Sequence, residues 1–308
     1  VKYGLKPVTS QPRLRLADYV TSDLPSFASL PDTFGNPDLI QPEMFMNDTL
    51  GCCDESGTAE EIRYLNQAAG VTVNFTDASI VENYSAVTGY NPDDPSTDQG
   101  TDVHQMMEYR KTTGFLDADN QRHTIIDYVG LTPGDWDEAM VALWLFGVVG
   151  IGIQATSYIQ QQFSEGQPWH LVPGRHSIDG GHYVPLVART NANTAALYTW
   201  GGVGGIESNY YHPYCTVAVV SITKEMFTPE GAAGFNGAVD FDKLAADLPQ
   251  LNTGTVSAKA PRSKRGLPRV KVSVDGVDQG PGEIGTRPDD SDPGVQVGGF
   301  DDAEPADR

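Results

Sequence analysis

The spacing of apolar positions changes character partway along the chain. Residues 55–69 carry Ala59, Ile62, Leu65 and Ala69 at helical intervals. A second helix is predicted over 77–88, with Asp77 placed to cap it. A turn-rich stretch over 91–102 precedes a helical run over 103–113, and Thr132-Pro133-Gly134-Asp135 opens a further helix through Phe146. From residue 148 the pattern turns to strands, expected over 148–153, 182–189, 195–198 and 215–222. One more short helix is expected over 241–251. Helices come first and strands later, which predicts an α+β fold with a mostly antiparallel sheet.

The two ends read differently from the middle. Residues 1–40 contain Pro7, Pro12, Pro25, Pro31 and Pro37 with little periodicity, so they are expected to form an extended N-terminal arm laid over a domain at 41–252. Residues 253–271 hold six basic side chains and no acidic one, and 276–308 are rich in Gly, Pro and Asp with Phe300 as the only aromatic. Such a segment buries too little apolar area to offset roughly 1–2 kcal/mol of ordering entropy per residue. Residues 253–308 are therefore read as a flexible tail, or one that orders on a partner, with one short strand at 269–274.

Composition narrows the function classes. Hydrophobic content of 39%, with 4 Trp, 13 Tyr and 11 Phe, supports a sizeable core. No apolar run reaches the roughly 18 residues of a membrane span, so no membrane insertion is expected, and residues 1–19 show no signal-peptide pattern. The net charge is −21, and the basic and acidic residues beyond 252 nearly cancel, so the excess lies in the body. An acidic body repels phosphate backbones, which argues against nucleic acid as a partner. Three cysteines make no disulfide framework, and no Cys/His spacing resembles a zinc site. Pro92 and Pro95 break the ligand spacing of a calcium loop at 91–102. No metal or cofactor is expected. His104, His123, His170, His176 and His212 read as surface or core histidines.

The chemistry concentrates at Asn47-Asp48-Thr49-Leu50-Gly51-Cys52-Cys53-Asp54. Thiol catalysis needs a cysteine at a helix N-terminus, an imidazole to take its proton, a group to orient that imidazole and donors for the oxyanion. Cys53 opens the first helix; Cys52 reads as a packed neighbour. At these residues the sequence resembles the papain-like cysteine peptidase superfamily. That family has an oxyanion-hole Gln six positions before a Gly-x-Cys nucleophile, and here Asn47 stands six before Cys53 in Gly51-Cys52-Cys53. Gly100-Thr101-Asp102 and the Tyr109-to-Gly114 spacing resemble its next landmark. Gly180-Gly181-His182-Tyr183-Val184 resembles the run that carries the catalytic His, and Tyr198-Thr199-Trp200-Gly201 resembles its Asn-Ser-Trp-Gly.

The resemblance, over about 180 residues, implies an N-terminal helical half whose nucleophile helix packs on a C-terminal antiparallel sheet. It implies Cys53 as nucleophile, His182 as base, Asn47 as oxyanion donor and Tyr198 at the position of the family's His-orienting Asn. Asp179, Asn191 and Asn193 are alternative orienting groups. Two readings of function follow. One is a cysteine peptidase or amidase acting on a peptide or protein substrate. The other is a structural or assembly protein with a decayed site, suggested by Tyr198 and the tail. The chain is similar to papain-like proteins of actinobacteria and their phages, so this second reading includes a virion component that binds neighbouring subunits through arm and tail. Virion and bacterial cytoplasm are the locations these readings imply.

Overall fold

Most of the expected helices begin at a side chain that accepts one of their free N–H groups; the first does not. α1 (Cys53–Ala68) follows the Gly51-Cys52 turn. α2 (Asp77–Thr88) is capped by Thr76, not Asp77: the Thr76 hydroxyl accepts the Ser79 N–H and the Ser79 hydroxyl accepts the Thr76 N–H, a reciprocal box that leaves Asp77 in the first turn. Asp102 caps α3 (Val103–Thr112) and Asp135 caps α4 (Trp136–Phe146), each through its carboxylate. Gly147, with φ of 80°, ends α4.

The computed structural model describes residues 1–20, 25–227 and 238–247. All of these fall in one unit, Val1–Val272. The tail at 253–308, its strand at 269–274 and the end of the helix over 241–251 lie outside the described residues.

The strands, in chain order, are β1 (Leu14–Arg15), β2 (Phe34–Gly35), β3 (Phe115–Leu116), β4 (Arg122–His123), β5 (Asp127–Gly130), β6 (Val149–Thr156), β7 (Ile178–Asn191), β8 (Thr194–Thr199), β9 (Gly202–Glu207) and β10 (Cys215–Ile222). Eight of them form one sheet in the order β1-β5-β10-β6-β7-β8-β9, with β2 also on β7. Every pair is antiparallel except β1 with β5. β3 and β4 make a separate hairpin. Short helices α5 (Ile159–Ser164) and α6 (Ser208–Tyr214) connect strands, and α7 (Phe241–Asp247) packs Phe241 and Leu244 into the main core. The α+β architecture, a helical half followed by a mostly antiparallel sheet, is as the sequence leads one to expect.

The two faces of the sheet have different partners. Ile151 and Ile153 of β6, Val184 and Leu186 of β7, and Ala218 and Val220 of β10 join Met140 and Leu143 of α4 in the main core. The opposite face presents Tyr183, Val217 and Val219 to the helical half, where Cys53, Val103 and Met107 meet them. On that face β6 carries Gly150 and Gly152. Tyr183 fills the space that a side chain at Gly150 would take, and a Cβ on Gly57 of α1 would come within 2.7 Å of the Tyr183 ring. Gly in mid-helix sacrifices about 1 kcal/mol of helix propensity relative to Ala. Here it lets α1 approach β7 closely, and that approach carries Cys53 toward His182.

Candidate active site

Cys53 is the first residue of α1 and is 2% exposed. The positive end of the helix dipole faces its sulfur region. His182 lies on β7, opposite Ile153 of β6, and is 1% exposed. Both line one cavity of only about 10 Å³, together with Asn47, Tyr183, Thr199 and Trp200. Trp200 stacks on the imidazole with ring centres 4.9 Å apart and planes 18° from parallel, and Trp169 meets it edge-on. The segment before α1 and the end of β8 are strained: Phe45, Met46 and Trp200 all have left-handed backbone, with φ of 46°, 63° and 48°. Such residues cost of order 1–3 kcal/mol each and concentrate at functional sites.

The cleft holds the chain's own N-terminal arm. Leu5 N–H donates to Gly181 O at 2.9 Å, Lys6 N–H to Thr101 O at 2.8 Å, and Thr101 N–H to Gly4 O at 2.8 Å. These bonds clamp residues 4–6 between the strand before His182 and the loop before α3. Lys2 exchanges bonds with Asn47, its N–H donating to Asn47 O and its carbonyl accepting from Asn47 Nδ2 at 3.2 Å. The Lys2 ammonium pairs with Asp98, and Thr9 donates through both N–H and hydroxyl to Asp102. Tyr3 sets its ring edge-on to His182 at 5.8 Å, with its hydroxyl bonded by Gln160. Gly4 fits because it lacks a side chain: a Cβ there would overlap the Gly51 carbonyl, and one on Gly100 would overlap Gly4.

The covered site is electrostatically quiet. Burial pushes the Cys53 thiol up to about 12, against the smaller opposing effect of N–H groups from Tyr183 and Gly4 that bond its sulfur. Burial alone pulls the His182 imidazole down to about 3. Burial thus favours a neutral thiol at Cys53 and a neutral imidazole at His182, and no hydrogen bond joins His182 Nδ1 to any described residue. The next residues of α1 are also dry. Asp54 is driven well above the carboxylate range and Glu55 up to about 8, both chiefly by burial, with Thr101 donating to Glu55 at 2.8 Å. Further along this helix Glu61 has a buried partner: Arg110 grips it with bonds of 2.9 and 3.1 Å, and Ser221 adds a third at 2.8 Å.

Three of the four sequence-derived site residues converge: Cys53, His182 and Asn47. Tyr198 does not reach the imidazole. Its hydroxyl donates to Pro37 O at 2.9 Å and its ring packs on Tyr64. Successive strand residues point to opposite faces, so it is Thr199, one residue later, whose Oγ1 lies 2.7 Å from His182 Nε2. The alternatives fail too. Asp179 accepts from Ser177, while Asn191 and Asn193 close the turn between β7 and β8. Cys52 is fully buried, its sulfur near Phe45 O and Ser56. Cys215 is buried as well. Sequence reading also missed the arm's entry into the cleft, for which Gly4 was the only available signal. Among the described residues no group of three His, Cys, Asp or Glu side chains converges to hold a metal ion, and no helix is long and apolar enough to cross a membrane.

No family model matches the chain, and no curated protein matches it in sequence. Its fold is nevertheless found among solved structures. Xylellain, a cysteine protease from Xylella fastidiosa, superposes with a TM-score of 0.54 at 14% identity, covering 72% of this chain and 96% of that one. Digestive procathepsin L 3 of Tenebrio molitor larval midgut superposes with a TM-score of 0.50 at 16% identity, covering 69% of this chain and 75% of that one. The fold is that of the papain-like cysteine proteases.

Proposed function

We propose that the chain is a cysteine peptidase or amidase whose resting cleft is closed by residues 2–6 of its own arm. The observation that carries this reading is the meeting of Cys53, at the head of α1, with His182, held under Trp200, in one buried cleft. In the reaction, Cys53 sulfur adds to the carbonyl carbon of a peptide-type bond while His182 takes its proton. The oxyanion is held by the Asn47 side-chain amide and the Cys53 backbone N–H. His182 returns the proton to the leaving amine, and water then cleaves the thioester. Burial favours the neutral form of Asp54 and Glu55, which reduces their opposition to a thiolate at Cys53.

The arm acts as a plug. The Asn47 amide is already spent on Lys2 O, so the arm occupies the donor that the oxyanion would use. Displacement of the arm hydrates the cleft, lifting the desolvation that now holds thiol and imidazole neutral.

The test is hydrolysis of unfolded protein and of N-acylated peptide amides by the full chain, by Gly4→Ala and by Gly4→Ala with Cys53→Ala. Hydrolysis that rises in Gly4→Ala and vanishes with Cys53→Ala is expected. If neither the full chain nor Gly4→Ala shows any Cys53-dependent cleavage, the reading fails and the structural or assembly alternative takes its place.

A further inference from the structure

Who orients the imidazole is the open position in this site. Its Nε2 has one polar neighbour, Thr199 Oγ1 at 2.7 Å, with Thr199 only 6% exposed. Its Nδ1 has no hydrogen-bond partner among the described residues, and His182 lines the cavity shared with Cys53 and Asn47. Trp200 on the ring face, with Trp169 and Tyr3 at its edges, confines the plane of the ring. The Trp200 position is in turn set by the hairpin: Thr199 pairs with Gly202, and Trp200-Gly201 between them both have positive φ, 48° and 71°. Two consecutive left-handed residues make the two-residue turn that suits the twist of paired strands. The same turn that stacks Trp200 over the imidazole fixes Thr199 beneath its Nε2.

We propose that Thr199 is the positioning residue of the pair, accepting the Nε2–H of His182 and so presenting an unprotonated Nδ1 to the Cys53 thiol; the role rests on the peptidase reading above. A hydroxyl can donate as well as accept, unlike the amide or carboxylate oxygen that usually serves this purpose. Two arrangements are therefore chemically open at Thr199. In one, Nε2–H donates to Oγ1 and Nδ1 keeps a lone pair. In the other, the hydroxyl donates to Nε2 and the proton sits on Nδ1. The second buries an N–H that has no acceptor, which is the more costly arrangement in a dry site. It would also leave the base unable to take the thiol proton. The first satisfies the N–H and leaves Nδ1 ready. When the imidazole ionises, Thr199 still accepts from Nε2 but offers no counter-charge. His182 is therefore a weaker base than a carboxylate-paired one, in line with the downward direction that burial already imposes.

The experiment reads the tautomer directly, without turnover. The full chain labelled with 15N-histidine is examined by two-bond 1H–15N correlation at pH 7, with the His182 signals assigned by their loss in His182→Gln. The expected pattern is a neutral ring protonated at Nε2. Thr199→Ser keeps it, and Thr199→Val, similar in volume but without the hydroxyl, abolishes the preference while the other five histidines are unchanged. If Thr199→Val proves unfolded, Thr199→Ala is read in the same way. In Cys53-dependent hydrolysis Thr199→Val lowers kcat by about tenfold, the worth of one neutral hydrogen bond, leaves KM unchanged, and is rescued by Thr199→Ser. A ring protonated at Nδ1, or a tautomer unmoved by Thr199→Val, overturns the assignment even in an active enzyme. A chain that shows the expected tautomers but hydrolyses nothing keeps Thr199 as the orienting group and sinks the peptidase reading instead.

Discussion

Replacing Gly4 by alanine puts one methyl group where the cleft has no room for it. The clash is with the Gly51 carbonyl, backbone two residues before α1, and not with the yielding end of a side chain. Gly4 lies within the segment fixed by the Leu5–Gly181, Lys6–Thr101 and Thr101–Gly4 bonds, so the methyl cannot be accommodated by a small slide. Overpacking of this kind costs about 1–3 kcal/mol. Charged entirely to the seated arm, it raises the open population roughly 5- to 150-fold, since 1.4 kcal/mol is a factor of ten. The assay is the rate of iodoacetamide alkylation at pH 8, followed by mass spectrometry at each cysteine. In the unaltered chain all three thiols are buried and should react slowly. In Gly4→Ala, Cys53 should react faster by that factor while Cys52 and Cys215, which the arm does not cover, keep their rates. The two silent cysteines separate release of the arm from loss of the fold. Equal Cys53 rates in the two chains would refute the claim that the arm guards the thiol.

Other outcomes follow from the same structure. Arg110→Met strands Glu61 with only Ser221 as a partner, and should cost about 3–5 kcal/mol in urea unfolding; a loss below 1 kcal/mol would show that the pair is not buried as described. Glu55 has a folded pKa raised to about 8, so its stabilising proton is fully held below the unfolded value of about 4.3 and is lost as pH rises through 8. Glu55→Gln keeps an acceptor for Thr101, so its melting temperature should match the unaltered chain near pH 4 and exceed it progressively toward pH 8. For His182, lowered to about 3, the sign is opposite: its neutral burial stabilises the fold above pH 6.5 and that stability is lost as pH falls toward 3. His182→Gln should therefore flatten the acid limb of the stability profile, and an unchanged limb would place the acid sensitivity elsewhere.

The four long helices, α1 to α4, and four strands were legible because their periodicity and caps are local properties. β10 runs over the expected 215–222, whereas β9, with Val203-Gly204-Gly205, carries almost no strand signal and forms by pairing with β8. Asp77 looked like a cap because Asp commonly is one, but Thr76 and Ser79 satisfy each other's N–H groups and Asp77 gains nothing at that place. Cys53 and His182 were readable from motif and spacing, since a thiol at a helix start and a histidine on a central strand leave a linear trace. The side chain that meets His182 Nε2 stands one residue after the expected one. Tyr198 and Thr199 sit side by side in sequence and on opposite faces of β8, a distinction that becomes visible only with the register of the strand. The plug left the faintest trace. Its grip on the cleft is mostly backbone hydrogen bonding, which any sequence can make, and four acidic residues buried along α1 hid the face that the helix turns to the core.

The pH dependence of Cys53 alkylation in Gly4→Ala, with and without His182→Ala, tests the central claim most directly. The account predicts that Cys53 in the opened cleft stays reactive well below the roughly 8.5 of a free thiol, and that His182→Ala removes this low-pH reactivity. A single titration at or above that value, the same with and without His182, would mean that the two residues share a cleft but no chemistry.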